Sequence, residues 1–185
     1  MRPATYRLDS IERRVRRAIL HVDARYRALG SSDAKWTRAI KNAVGRIGTQ
    51  LGYQICAAGS RYKKNGEWLY DLSWVQLIRG DFVSLPLVLE SEWRQDEERL
   101  YDFQKLVAAR AAHRVMVFWA SSSRAAEQQL QTFTRQIECF RETQAGDRYL
   151  FAWYTGSSNT QVIEFHLYVV KNGRRMAERQ HVKKT

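Results

Sequence analysis

Apolar positions recur every three or four residues through Ile11, Val15, Ala18, Ile19, Val22 and Tyr26, which predicts an amphipathic helix opening after Ser10 and ending near Gly30. The same period through Trp36, Ala39, Ile40, Ala43, Val44, Ile47 and Leu51 predicts a second helix, with Ser32 or Asp33 as its cap and Gly52 as its stop. The period then shortens. Apolar runs at Tyr53–Ala58, Trp68–Leu77 and Leu85–Glu92, parted by the turn-rich segments Gly59–Gly66 and Arg79–Ser84, predict a meander of three strands. A helix over Gln95–Ala112, a strand over Arg114–Trp119 and a long helix over Ser123–Phe140 follow. Two strands, Arg148–Tyr154 and Gln161–Val170, end the pattern.

Strands grouped early and a β-α-β crossover after them predict an α/β fold with a mixed sheet flanked by helices. The chain length suits one domain, placed at residues 1–170, and the segment 171–185, with six Lys or Arg and few apolar groups, is expected to be a basic tail. Gly45 and Gly48 fall inside the second helix pattern and Gly156-Ser157-Ser158-Asn159 reads as a hairpin turn, so no phosphate-cradling loop is expected.

Composition adds a partner. Thirty-one Lys and Arg stand against 19 Asp and Glu, a formal charge of +12, which favours polyanions through phosphate neutralisation and counterion release. Nucleic acid is the leading expectation, and Arg13, Arg14, Arg16 and Arg17 on the first helix are its candidate contacts. No apolar run approaches the roughly 20 residues of a membrane-spanning helix, and the first residues lack a signal-peptide core, so no membrane partner and a cytoplasmic location are expected. Cys56 and Cys139 show no metal-ligand spacing and read as two unpaired core thiols. His21, His113, His166 and His181 receive no role.

In so basic a chain, carboxylates inside apolar strands call for an explanation, because a buried charge is costly unless paired. Strict alternation along the second strand puts Trp68, Tyr70, Leu72 and Trp74 on one face and Asp71 on the other with Leu69 and Ser73; the aromatic face of Trp68, Tyr70 and Trp74 is expected to be core, with base stacking as its alternative. Along the third strand Glu90 and Glu92 share a face. If these strands are neighbours, three carboxylates meet at one edge of the sheet, where a hard divalent cation would offset their repulsion. The competing reading makes them solvated strand-end residues paired with local Arg.

The order of these parts resembles the PD-(D/E)XK, or restriction-endonuclease-like, nuclease superfamily. Its core runs helix, three meandering strands, helix, strand, with an Asp on the second strand and an acidic-x-Lys tripeptide on the third. Asp71 stands at the first position and Glu90-Ser91-Glu92 at the tripeptide, over approximately Lys35 to Trp119. The resemblance implies a metal-dependent endonuclease acting on DNA. Asp71, Glu90 and the Ser91 carbonyl would hold Mg²⁺, with Mn²⁺ as a substitute. Glu92 departs from the usual Lys. In some members that Lys has moved to the following helix, where this chain offers Gln104 and Lys105. A helical wheel places Gln104 near the inner edge and Lys105 roughly opposite, so the third catalytic position stays divided among Glu92, Gln104 and Lys105. Glu12 is expected in a surface ion pair with Arg16. Cleavage of both duplex strands would favour a two-fold dimer. The alternative function is an inactive nuclease fold that binds nucleic acid or a protein.

Overall fold

The computed structural model describes residues 7–26, 32–66, 68–94, 97–156 and 162–171. Its described residues build α1 (Ser10–Tyr26), α2 (Asp33–Gln50), β1 (Gln54–Cys56), β2 (Leu72–Ile78), β3 (Asp81–Glu92), α3 (Glu97–Ala108), β4 (Ala111–Ala120), α4 (Ser123–Cys139), β5 (Arg148–Thr155) and β6 (Val162–Val169). The predicted tail beyond Lys171, the predicted end of the first helix near Gly30 and the Ser157–Asn159 part of the last turn lie outside the described residues.

The six strands form one mixed sheet in chain order, β1-β2-β3-β4-β5-β6. Strands β3, β4 and β5 run parallel, and the other neighbours are antiparallel. Two successive crossovers in the same direction put α3 and α4 on one face, against β3, β4 and β5, while α1 and α2 cover the other. Both faces are therefore covered, and from Val115 onward β4 reads as an unbroken apolar run whose members alternate between two cores. Val115 and Val117 join Leu87, Leu89, Trp74 and Ile40 beneath α1 and α2. Met116 and Phe118 join Phe103, Phe133 and Phe151 beneath α3 and α4. In the second core, fully buried Phe133 stacks on Phe103 and Phe151 with centroids at 4.1 and 5.7 Å, and its truncation to Ala would cost about 3–5 kcal/mol. Among the described residues no helix is long and apolar enough to cross a membrane.

Several local expectations are corrected. The cap of α1 is Asp9 rather than Ser10: the Glu12 amide donates to Asp9 Oδ1 at 2.8 Å and the Asp9 amide to Glu12 Oε2 at 2.9 Å, a reciprocal capping box. The turn between β2 and β3 occupies only Arg79 and Gly80, both at positive φ (54° and 90°), the signature of a two-residue hairpin. Strand β3 accordingly reaches back to Asp81. Cys56 is buried as expected, whereas Cys139, in the last turn of α4, is exposed.

The correction that matters most is at the start of β2. The strand begins at Leu72, because Leu69 adopts a left-handed φ of 62° and breaks the alternation expected from Trp68 onward. Tyr70 turns into the core beneath α3, while Leu72 and Trp74 face α2. Trp68 belongs to neither core. On the opposite side of β2, a Cβ at Gly48 would collide with Ile55 and Trp74 and one at Gly45 with Tyr62, so only glycine lets α2 lie this close.

Candidate functional site

Strand register brings the two expected carboxylates together. Leu72 pairs with Leu89, so one residue further along Asp71 comes opposite Glu90. Their side chains nevertheless serve different faces. Asp71 Oδ2 accepts from the Ser91 amide at 2.9 Å and the Ser91 hydroxyl at 2.7 Å, and its Oδ1 accepts from Lys41 Nζ of α2 at 3.0 Å. Glu90 points toward α3. Its Oε2 accepts from the Asp71 amide at 3.2 Å, and its Oε1 lies 2.6 Å from Lys105 Nζ. The Lys105 ammonium thus holds the buried Glu90 Oε1 in a close ion pair. Lys105 also reaches Asp102 at 2.9 Å and the Leu69 carbonyl at 3.1 Å.

Of the three candidates for the third position, the structure gathers Lys105 alone. Glu92 ends β3 half-buried and accepts from the Arg94 amide at 2.7 Å, closing a local turn. Gln104 is exposed and donates to Gln136 of α4 at 3.2 Å. The helical wheel misplaced Lys105 because it treats a side chain as a direction from the axis. A four-carbon stem can lie along a helix flank and carry its ammonium to a neighbouring strand. Lys41 was missed altogether. Its signal was available: a lysine one turn before Val44 and Gly45, on the buried stripe of α2, must find a counter-charge or be expelled.

Electrostatics marks out Glu90 and Lys105. Burial pushes the Glu90 carboxyl up to about 8, with the Asp71 and Asp102 charges adding to the rise and Lys105 opposing it. Burial alone would depress the Lys105 ammonium, but hydrogen bonding and attraction from Glu90 and Asp102 win, holding it above the ordinary lysine range. Beneath both, burial raises the Tyr70 hydroxyl, which lies 3.4 Å from the Lys105 carbonyl. A carboxyl this deep gains from a strong positive charge. Asp71 and Glu90 offer oxygen atoms of the type a hard divalent cation takes, and the Ser91 and Lys41 donors orient Asp71.

A second cluster lies under the opposite layer. Asp9, Glu12 and His113 bring ligand atoms within 4.8 Å of one another. Glu12 is not the partner of Arg16 but is buried in a two-point contact with Arg148, at 2.7 and 2.6 Å. Asp9 Oδ2 lies 2.7 Å from His113 Nε2.

The four arginines of α1 do not share one face. Arg13 and Arg17 are exposed, Arg13 donating to the Leu8 carbonyl. Half-buried Arg14 donates to Gln50 at 2.7 Å, and Arg16 packs 5.3 Å over the Phe165 ring. These residues lie on the α1–α2 layer, across the sheet from Lys105. Compared with protein-family models, curated proteins and solved structures, the chain matches none.

Proposed function

We propose that the chain is a divalent-metal-dependent phosphodiesterase acting on nucleic acid, DNA in the first instance, on a restriction-endonuclease-like core. The observation that carries this reading is the convergence of three groups distant in sequence. Asp71 at the mouth of β2 and Glu90 on β3 are joined through the Asp71 amide, and Lys105 of α3 stands 2.6 Å from Glu90. A meander feeding a helix and then a parallel strand supports it, as does the charge of +12.

In this reading Asp71 and Glu90 hold Mg²⁺ or Mn²⁺, with the Ser91 carbonyl as a further ligand. The bound cation supplies Lewis acidity and charge against the phosphodiester. Lys105 takes the role of the missing tripeptide lysine: as a fixed ammonium beside Glu90 it holds the attacking water or stabilises charge developing on phosphate oxygens. Lys41 and Ser91 keep the Asp71 carboxylate aimed. Glu92 and Gln104 take no part.

The test is cleavage of labelled DNA and RNA with Mg²⁺ or Mn²⁺ by wild type, Asp71→Asn and Glu90→Gln. Activity that survives both substitutions removes the reading. A second reading, a nuclease fold retained for binding, is favoured by the way Lys41 and Ser91 already occupy both oxygens of Asp71. Mn²⁺ titration followed by electron paramagnetic resonance separates the two, since a retired site shows no Glu90-dependent binding.

A further inference from the structure

The rim of this site carries exposed apolar groups that the chemistry above does not use. Leu69, whose carbonyl holds Lys105, is 71% exposed at a φ of 62°, a conformation that a bulky side chain rarely adopts. Tyr101 is 66% exposed, and its ring lies 5.9 Å from Lys105 Nζ. On the other side of Leu69, Trp68 is 39% exposed and meets Phe82, 54% exposed, edge to face at 5.3 Å. Phe82 stands on the β2–β3 hairpin tip beyond the reach of β1, whose last partner on β2 in that direction is Val75. A continuous apolar track thus runs from Tyr101 past Lys105 to Leu69, Trp68 and Phe82. The turn leading into Trp68 presents exposed Lys63 and Lys64.

We propose that this track is a stacking platform for the unpaired bases of a single-stranded nucleic-acid segment running into the site. The proposal rests on the phosphodiesterase reading and deepens it by assigning the substrate class. Aromatic faces beside cations are the two components that single-strand binding needs, because every base offers a π-face and every linkage a charge. An apolar side chain standing at the mouth of a phosphodiester site is also suited to wedge between bases. The backbone strain at Leu69 has no packing return, since its side chain is largely in solvent, and strain of this kind persists where the surrounding structure enforces it for a purpose. Charge complementarity selects nucleic acid over a second copy of this chain, which would bring the same basic turn against itself.

The experiment is equilibrium binding of labelled strands of about 16 nucleotides, single-stranded and duplex, DNA and RNA, to the full chain in EDTA, where cleavage is silent. Tyr101→Ala and Leu69→Gly are compared with wild type. Glycine relieves the positive φ, so Leu69→Gly holds or raises the melting temperature and a loss of binding cannot be ascribed to unfolding. Each substitution is expected to weaken single-strand binding about tenfold and duplex binding less than about twofold. Whichever of DNA or RNA wild type binds more tightly names the natural strand. Equal losses on single strand and duplex, or no loss on either, overturn the proposal. So does a change confined to self-association in sedimentation, which would make a second copy the occupant. Glu90-dependent cleavage with unaltered single-strand binding sinks the platform and leaves the nuclease, whereas the reverse pattern keeps the platform and removes the nuclease.

Discussion

The chain builds two clusters from nearly the same parts and leaves them in opposite electrostatic states. At Asp9, Glu12 and His113, burial works to raise the Asp9 carboxyl, but the Glu12 amide, His113 and Arg148 outweigh it and hold it below its ordinary value. Arg148 meets Glu12 through its guanidinium fork, the geometry that best repays removing a carboxylate from water. At Asp71, Glu90 and Lys105 burial wins, and Glu90 is pushed up to about 8. A flexible ammonium is a poorer partner for a carboxylate than a guanidinium fork. The first cluster is saturated and ties the α1 terminus to β4 and β5. The second keeps a buried carboxyl whose proton affinity is raised, the kind of perturbed group that gathers at functional sites.

The largest effect is expected at this second cluster. Asp71→Asn or Glu90→Gln should bring metal-dependent cleavage to background, read as initial rates on a labelled duplex and a labelled single strand. The same Glu90→Gln chain should melt no lower than wild type at pH 8, because it removes a charge that burial disfavours. A Glu90→Gln chain that melts well below wild type without metal would make Glu90 a structural residue and erase the contrast.

Next in size is the opposite substitution at the saturated cluster. Arg148→Leu strands the buried Glu12 carboxylate and should cost about 3–5 kcal/mol in urea unfolding, with cleavage per folded molecule unchanged. A loss of activity at full folding would show that the two clusters communicate.

The pH dependence of the two clusters should have opposite sign. Glu90 has a folded value above its unfolded one, so the stability it contributes is complete below about pH 4.5 and is lost as pH rises toward about 8. Asp9 has a lowered folded value, so its contribution is complete above the unfolded value near 3.8 and is lost as pH falls through and below it. Melting temperatures across pH 3 to 9 should therefore fall at both ends in metal-free buffer, and Glu90→Gln should flatten only the alkaline limb. Mn²⁺ affinity should rise as pH climbs toward about 8, because binding displaces the Glu90 proton. A Glu90→Gln curve that retains the alkaline limb would show that another group titrates there. Lys105→Met should leave Glu90 without its cation and lower stability more at pH 8.5 than at pH 6, where Glu90 can neutralise itself.

These contrasts also mark where sequence reasoning succeeded. Helix periodicity and strand order located both layers, the β2–β3–α3–β4 path and the Asp71–Glu90 pair, because burial on both sheet faces leaves a pattern that residue type records. What escaped were features set by single side chains or single dihedrals. Trp68 was grouped with Tyr70 and Trp74 because alternation assumes continuous extended backbone, and one left-handed residue, Leu69, cancels that assumption. Glu12 was paired with Arg16 four residues on, whereas its partner Arg148 comes from the far end of the chain and no local rule reaches it. Lys41 sits on an apolar stripe that periodicity reads for its hydrophobic members only.

The smallest expected effect falls on the two candidates that the sequence ranked beside Lys105. Gln104 spends its amide on Gln136 at the surface between α3 and α4, and Glu92 spends its carboxylate on the Arg94 amide. Gln104→Ala and Glu92→Gln should each change unfolding free energy by no more than about 0.5 kcal/mol, the range of surface substitutions away from caps and cores. Cleavage rates should stay within about twofold of wild type, a difference of under half a kcal/mol in the barrier. Glu92→Lys is the sharper form, because it restores the tripeptide lysine on β3 while Lys105 remains on α3. If Lys105 already fills the role, the added lysine contributes no rate and its charge beside Arg94 is at best neutral. A Glu92→Lys chain that cleaves markedly faster would show that the helix-borne lysine is an incomplete substitute, and that the ion contact between Lys105 and Glu90 serves stability before catalysis.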